Sequence, residues 1–136
     1  MTGVPWEQLR QVAEEARARA YAPYSRFEVG AALLTDDGRI FAGANVENAS
    51  YGLSLCAERS AVAAAVAAGV RRFAAIVIVA PGPAPVTPCG MCRQVLSEFA
   101  PDLAVRSYTP EGGLLETNVA ALLPDAFGPG HLRGAD

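Results

Sequence analysis

The chain has 136 residues, of which 51% are hydrophobic and 18% charged, and its formal net charge is −3. That length holds one domain with a sizeable core, and the balance is that of a globular protein rather than a disordered one. There is no lysine, and the arginines stand singly apart from Arg71-Arg72, so no basic stripe is available for a nucleic-acid backbone. The longest apolar region, Ala61 to Ala80, is interrupted by those two arginines, which argues against a membrane span. The N-terminal residues turn polar at Glu7 without a signal-peptide pattern, and three cysteines are an odd count for a disulfide framework. The cytoplasm is the expected location.

Trp6, Leu9, Val12, Ala13, Ala16 and Ala20 recur at helical spacing, which predicts a helix over 6–20 ended by Pro23. Val29 to Leu34 reads as a buried strand, Asp36-Asp37-Gly38 as a turn, and Arg39 to Ala44 as the returning strand of a hairpin. Phe27, at the start of the first strand, has two readings: a core or edge aromatic, or an apolar wall for a flat ligand. The stretch from Asn45 to Gly52 is polar and follows a strand directly. It reads as a solvated loop with local side-chain turns. Alternatively, Asn45 and Glu47, alternate residues leaving a strand, point the same way and present donors and acceptors suited to sugar hydroxyls.

Leu55 to Gly69 is alanine-rich and ends in glycine, a helix with Cys56 and Glu58 in its first turn. Unpaired N–H groups and the helix dipole favour anions there, which prepares a thiolate for metal. Phe73 to Ala80 is a continuous apolar run, the mark of a central strand buried on both faces in a parallel βαβ unit. A Pro/Gly-rich loop over 81–85 then leads to Thr87-Pro88-Cys89, where Thr87 suits an N-cap and Pro88 a first helical residue. That helix runs to Pro101 and carries Cys89 and Cys92 on one face. The two helix N-termini are expected at the carboxyl ends of adjacent strands, where α/β folds place their sites. Leu103–Tyr108 and Leu114–Thr117 are two more short strands, Val119–Leu123 is a helical turn, and the tail over 128–136, which holds His131, reads as loose. The architecture is a single three-layer α/β/α sandwich around a mixed sheet of about five strands.

All three cysteines fall in Cys56-Ala57-Glu58 and Pro88-Cys89-Gly90-Met91-Cys92. Three thiolates hold zinc tetrahedrally with one corner open, as in a catalytic site. A Cys-x-x-Cys alone is also compatible with a redox pair, and His131 would complete a closed structural zinc site, but neither alternative uses Glu58. A carboxylate two residues from a metal ligand is placed to move protons to and from a metal-activated water. Ligand-x-Glu followed by Pro-Cys-x-x-Cys is the pattern of zinc-dependent deaminases, with the glutamate as proton shuttle rather than ligand. Three thiolates and one zinc sum to −1, so some group must draw charge from the sulfurs. The helix N-termini can do so, and Arg59 is a candidate for a bond to a thiolate, or else an exposed helix arginine.

Beyond the cysteines, the chain resembles the small, three-cysteine, homotetrameric cytidine deaminases. The likeness runs through Pro23-Tyr24-Ser25-Arg26-Phe27, Val29-Gly30-Ala31-Ala32, Asn45 to Tyr51, Cys56-Ala57-Glu58-Arg59, Pro88 to Gln94, and Leu122-Leu123-Pro124 to Phe127. The resemblance implies one zinc per chain on Cys56, Cys89 and Cys92, with Glu58 as the catalytic proton shuttle. It implies that Asn45 and Glu47 bind the ribose, that Phe27 packs on the pyrimidine, and that the Ala57 backbone contacts the base. Phe127 would come from a neighbouring subunit to stack on the base, with Ala49 and Tyr51 reaching across too, and Arg59 would temper the thiolate charge. Cytidine and deoxycytidine would become uridine and deoxyuridine, with loss of ammonia, in pyrimidine salvage. The domain would span 1–127. One departure is Asp125, at a position where glycine is common in the family. A blasticidin-type deaminase shares the zinc motifs, but the Phe27 segment and the Phe127 ending favour the nucleoside enzyme; polynucleotide editing is disfavoured by the net charge.

Overall fold

The computed structural model describes residues 3–133. Its elements run α1 (Trp6–Arg17), β1 (Gly30–Thr35), β2 (Ile40–Ala44), α2 (Ala57–Ala67), β3 (Phe73–Val79), α3 (Gly90–Phe99), β4 (Ala104–Tyr108), β5 (Leu114–Asn118), α4 (Val119–Leu122) and α5 (Pro129–Arg133). A single 3-10 turn at Tyr51–Leu53 precedes α2.

Residues of the central strands alternate between two cores, as the two-residue period of a strand requires. Ala31 and Leu33 of β1 and Ile76 and Ile78 of β3 pack with Ala61, Val62 and Leu96 from α2 and α3. Ala32, Leu34, Ala75, Val77 and Val79 face the other way, against Leu9 and Ala13 of α1. The sheet is thus covered on both sides, which makes the predicted three-layer sandwich. Strand order is β2-β1-β3-β4-β5. β1 is antiparallel to β2 and β3, β3 is parallel to β4 through the α3 crossover, and β5 returns antiparallel to β4.

Four expectations need correction. The first helix stops at Arg17 rather than reaching Ala20, because the chain leaves it to pair with the loop after β2: Tyr21 N–H donates to Asn45 O at 2.9 Å and Glu47 N–H to Tyr21 O at 2.8 Å. Pro23 therefore does not end it. The third helix begins at Gly90 with Cys89 as N-cap, not at Pro88 with Thr87 as N-cap. The strands that deliver the two helix N-termini are not adjacent. β2 and β3 run the same way but β1 lies between them, its first residue Gly30 paired with the last residues Ala44 and Val79. Three chain segments therefore meet at this end of the sheet: the approach to β1, the exit of β2 and the exit of β3. At the C-terminal end, residues 129–133 form one turn of helix where the sequence reading leaves a loose tail; residues 134–136 lie outside the described ones.

Candidate active site

The exits of β2 and β3 each end in a cysteine. Cys56 is the N-cap of α2 and Cys89 the N-cap of α3, with extended backbone (ψ 156° and 167°) and no side-chain cap bond, so both sulfurs are free to turn outward. Cys92 stands one turn into α3 and is buried. Cys56 Sγ lies 3.6 Å from Cys89 Sγ, which lies 3.5 Å from Cys92 Sγ, and all three sulfurs are within 4.8 Å of one another. Zn–S bonds of about 2.3 Å at tetrahedral angles place sulfurs about 3.8 Å apart. The triad fits that ion closely and supplies three corners of its tetrahedron.

Arg59, one turn along α2, donates from Nη2 to Cys56 Sγ at 3.5 Å and to Ser54 O at 3.2 Å, so it is not a free surface arginine. Its Nε is buried without a partner among the described residues. Without metal, Cys56 and Cys92 differ sharply in proton affinity. The neighbouring Cys92 thiol, then Arg59, hold Cys56 down at about 5, while Cys92 is pushed well above the usual thiol range, chiefly by the Cys56 thiolate and by burial. Glu58 sits in the first turn of α2 and is 5% exposed. Burial, aided by the charge on Cys56, raises its carboxyl to about 7. A carboxyl at that value both takes and gives protons near neutrality, which is what a proton shuttle needs.

Cys56, Cys89 and Glu58 open into a cleft of about 310 Å³, whose walls include Phe27, Asn45 and Glu47. Five sequence-predicted residues from three separate segments thus meet Glu58 at one cavity. Asn45 is more than a wall: Oδ1 accepts from Val29 N–H at 2.9 Å and Nδ2 donates to Phe27 O at 2.8 Å, so it straps the approach to β1 across the cleft. One Nδ2 hydrogen remains for a ligand. Glu47 Oε1 accepts from the N–H groups of Tyr24 at 3.0 Å and Ser25 at 3.1 Å, and Oε2 accepts from Ser25 Oγ. Those bonds hold its carboxyl below the usual range, charged and fixed in place. Phe27 leaves its ring 41% exposed at the opening, and its N–H donates to Ser25 Oγ. Ala57 is buried at the first position of α2, beside both Cys56 and Glu58.

Ala49, Tyr51 and Phe127 do not line this cleft. Tyr51 is 76% and Phe127 55% exposed, both far out of the core for rings of their size, and Ala49, two residues before Tyr51, is exposed as well. Asp125, two residues before Phe127, takes the left-handed conformation at φ 54°. Aspartate tolerates it, so the turn that glycine would serve is kept.

Sequence reasoning placed none of several further residues at the cleft. Ser25 orients Glu47, and Ile78, Val86 and Thr87 complete the cleft wall. Arg93 binds three residues: it donates to Pro88 O and Thr87 Oγ1 at 2.7 Å each and to Leu122 O at 2.9 Å. It thereby fastens the Cys89 loop to the end of α4. Its position right after Cys92 was the one available signal.

Comparison with known proteins agrees with this geometry. Residues 5–106, well over half of the chain, match the family model of the cytidine and deoxycytidylate deaminase zinc-binding region. The chain belongs to this family. It is 49% identical over 122 residues to the cytidine deaminase of Sporosarcina psychrophila, covering 89% of this chain and 90% of the relative. It is 47% identical over 133 residues to that of Mycobacterium tuberculosis, covering 94% and 93%. Among solved structures, the cytidine deaminase of Burkholderia pseudomallei superposes with a TM-score of 0.88 at 51% identity, over 91% of this chain and all of that one. Zinc is the family's metal, and Cys56, Cys89 and Cys92 are the residues here that would hold it. No helix among the described residues is long and apolar enough to cross a membrane.

Proposed function

We propose that this chain hydrolytically deaminates cytidine and deoxycytidine to uridine and deoxyuridine, releasing ammonia, and so serves pyrimidine salvage. The observation that carries it is the meeting of the cysteine triad and buried Glu58 with Phe27, Asn45 and Glu47 at one cleft. When bound, zinc supplies the Lewis acid that brings the pKa of a water toward neutrality. Glu58 would take a proton from the attacking water as its oxygen bonds to C4 and pass that proton to N3. It would then move the proton of the added hydroxyl to the exocyclic amine as the C4–N bond breaks, C4=O forms and ammonia leaves. Its burial keeps bulk water from short-circuiting these transfers. Phe27 covers one face of the pyrimidine, and the Ala57 backbone meets its edge. Asn45, with its remaining N–H, and the fixed Glu47 carboxylate take the ribose hydroxyls. Arg59 offsets the thiolate charge at Cys56.

We further propose a homotetramer in which Phe127 stacks on a base held by a neighbouring copy, joined there by Ala49 and Tyr51; the exposure of these residues outside their own cleft supports it. The catalytic domain spans 1–127. A triad of reduced thiolates suits the cytoplasm. The test is ultraviolet-monitored turnover of cytidine by purified protein, with Glu58→Ala and blasticidin S in parallel. Cytidine should be converted, and Glu58→Ala should retain zinc while losing at least about 10³-fold in kcat. Turnover of blasticidin S alone would move the substrate. Loss of zinc from Glu58→Ala would count against the shuttle role.

A further inference from the structure

Phe127 does not stand free on its loop. Its carbonyl accepts from Gln94 Nε2 at 2.8 Å. The next residue, Gly128, donates its N–H to His131 Nδ1 at 3.0 Å, and Gly128 O accepts from His131 N–H at 3.0 Å. This double bond pattern folds α5 back so that the imidazole lies against the Phe127 ring, with centroids 5.2 Å apart and planes 14° from parallel. Because Nδ1 accepts, the ring hydrogen belongs on Nε2. An exposed phenylalanine otherwise loses rotamer freedom when it binds, and that loss weakens binding. One face packed on a fixed ring removes most of the freedom beforehand and leaves the opposite face bare.

We propose that His131 is a positioning residue: by stacking on Phe127 and taking the Gly128 N–H, it holds the Phe127 ring with one face presented to a nucleoside base in a neighbouring copy. The inference rests on the reading of Phe127 as the base-stacking residue. His131 touches no substrate. It acts on substrate affinity rather than on the chemical step, because neither Phe127 nor His131 lines the cleft that holds Cys56, Glu58 and Cys89 of the same chain.

Steady-state kinetics on cytidine, with untagged protein, test it. His131→Ala should raise KM about fivefold with kcat within about twofold of wild type, the scale of one lost aromatic stack. His131→Phe, which keeps a ring on Phe127, should bring KM back to within about twofold of wild type. Phe127→Ala should raise KM at least as much as His131→Ala. An unchanged KM in His131→Ala, beside a raised KM in Phe127→Ala, overturns the role of His131 alone. An unchanged KM in Phe127→Ala removes the underlying reading of Phe127 instead. A His131→Phe variant no better than His131→Ala also overturns the stacking argument. A second measurement needs no variant to fold: His131 is the chain's one histidine. Its imidazole C2–H resonance should therefore shift when uridine is added to the wild-type protein, and a resonance that stays in place overturns the proposal.

Discussion

Glu58 is costly to the fold, and the cost can be measured. Its carboxyl is raised from 4.5 to about 7, mainly by burial. Between those values the folded protein binds a proton at Glu58 that the unfolded chain has released, so stability declines as pH rises through this window. Above the folded value the loss is complete and amounts to about 3 kcal/mol. Glu58→Gln keeps the shape and removes the titration. With metal chelated and thiols kept reduced, urea unfolding at fixed protein concentration should find the variant more stable than wild type by about 3 kcal/mol at pH 8 and by under about 1 kcal/mol at pH 5. Equal stabilities at pH 8, or a gap that widens as pH falls, would refute the claim that this carboxyl is held in a desolvated site. The same burial that penalises folding is what gives the group a proton affinity near neutrality, so stability and catalysis are opposed at this one residue.

Two further substitutions probe the scaffold. A Cβ on Gly43 of β2 would fall 2.3 Å from Ala57 O and 2.5 Å from Ala61 N, both backbone atoms of α2. Gly43→Ala must therefore push α2 off the sheet, displacing Cys56 and Glu58; zinc content measured by atomic absorption should fall, and kcat/KM should drop by about 10²-fold. Gly69 closes α2 in the left-handed conformation at φ 88°, with its N–H on Val66 O and the next N–H, from Val70, on Ala65 O. Nothing lies within 4 Å of a Cβ there, so Gly69→Ala should cost only the backbone strain, about 1 kcal/mol in urea unfolding, with kcat and zinc content unchanged.

Local chemistry determined much of this protein. The apolar run from Phe73 to Ala80 made the central strand legible, the alanine-rich stretch after Cys56 made α2 legible, and Gly38 marked the hairpin turn, where its φ is 87°. Cys56, Glu58, Cys89 and Cys92 could be proposed as site residues because zinc-dependent hydrolysis calls for those side chains at those spacings, whatever surrounds them. What the string leaves undecided depends on which distant backbone is near. Pro23 looked like the stop for the first helix, yet the pairing of Tyr21 with the loop after β2 ends it sooner. Thr87 had the chemistry of an N-cap, but its hydroxyl is claimed by Arg93, and Cys89 takes the cap. Asn45 and Glu47 were legible as a polar pair, whereas their bonds to residues 24–29 arise only because the antiparallel register sets Gly30 beside Ala44. Burial likewise belongs to the assembled layers. The sequence determines that a glutamate follows Cys56 by two residues, and only the packing of α2 over the sheet desolvates it and raises its carboxyl to about 7. A covalent spacing travels with the chain, but the local dielectric and the partners of a side chain exist only once the sheet has closed over them.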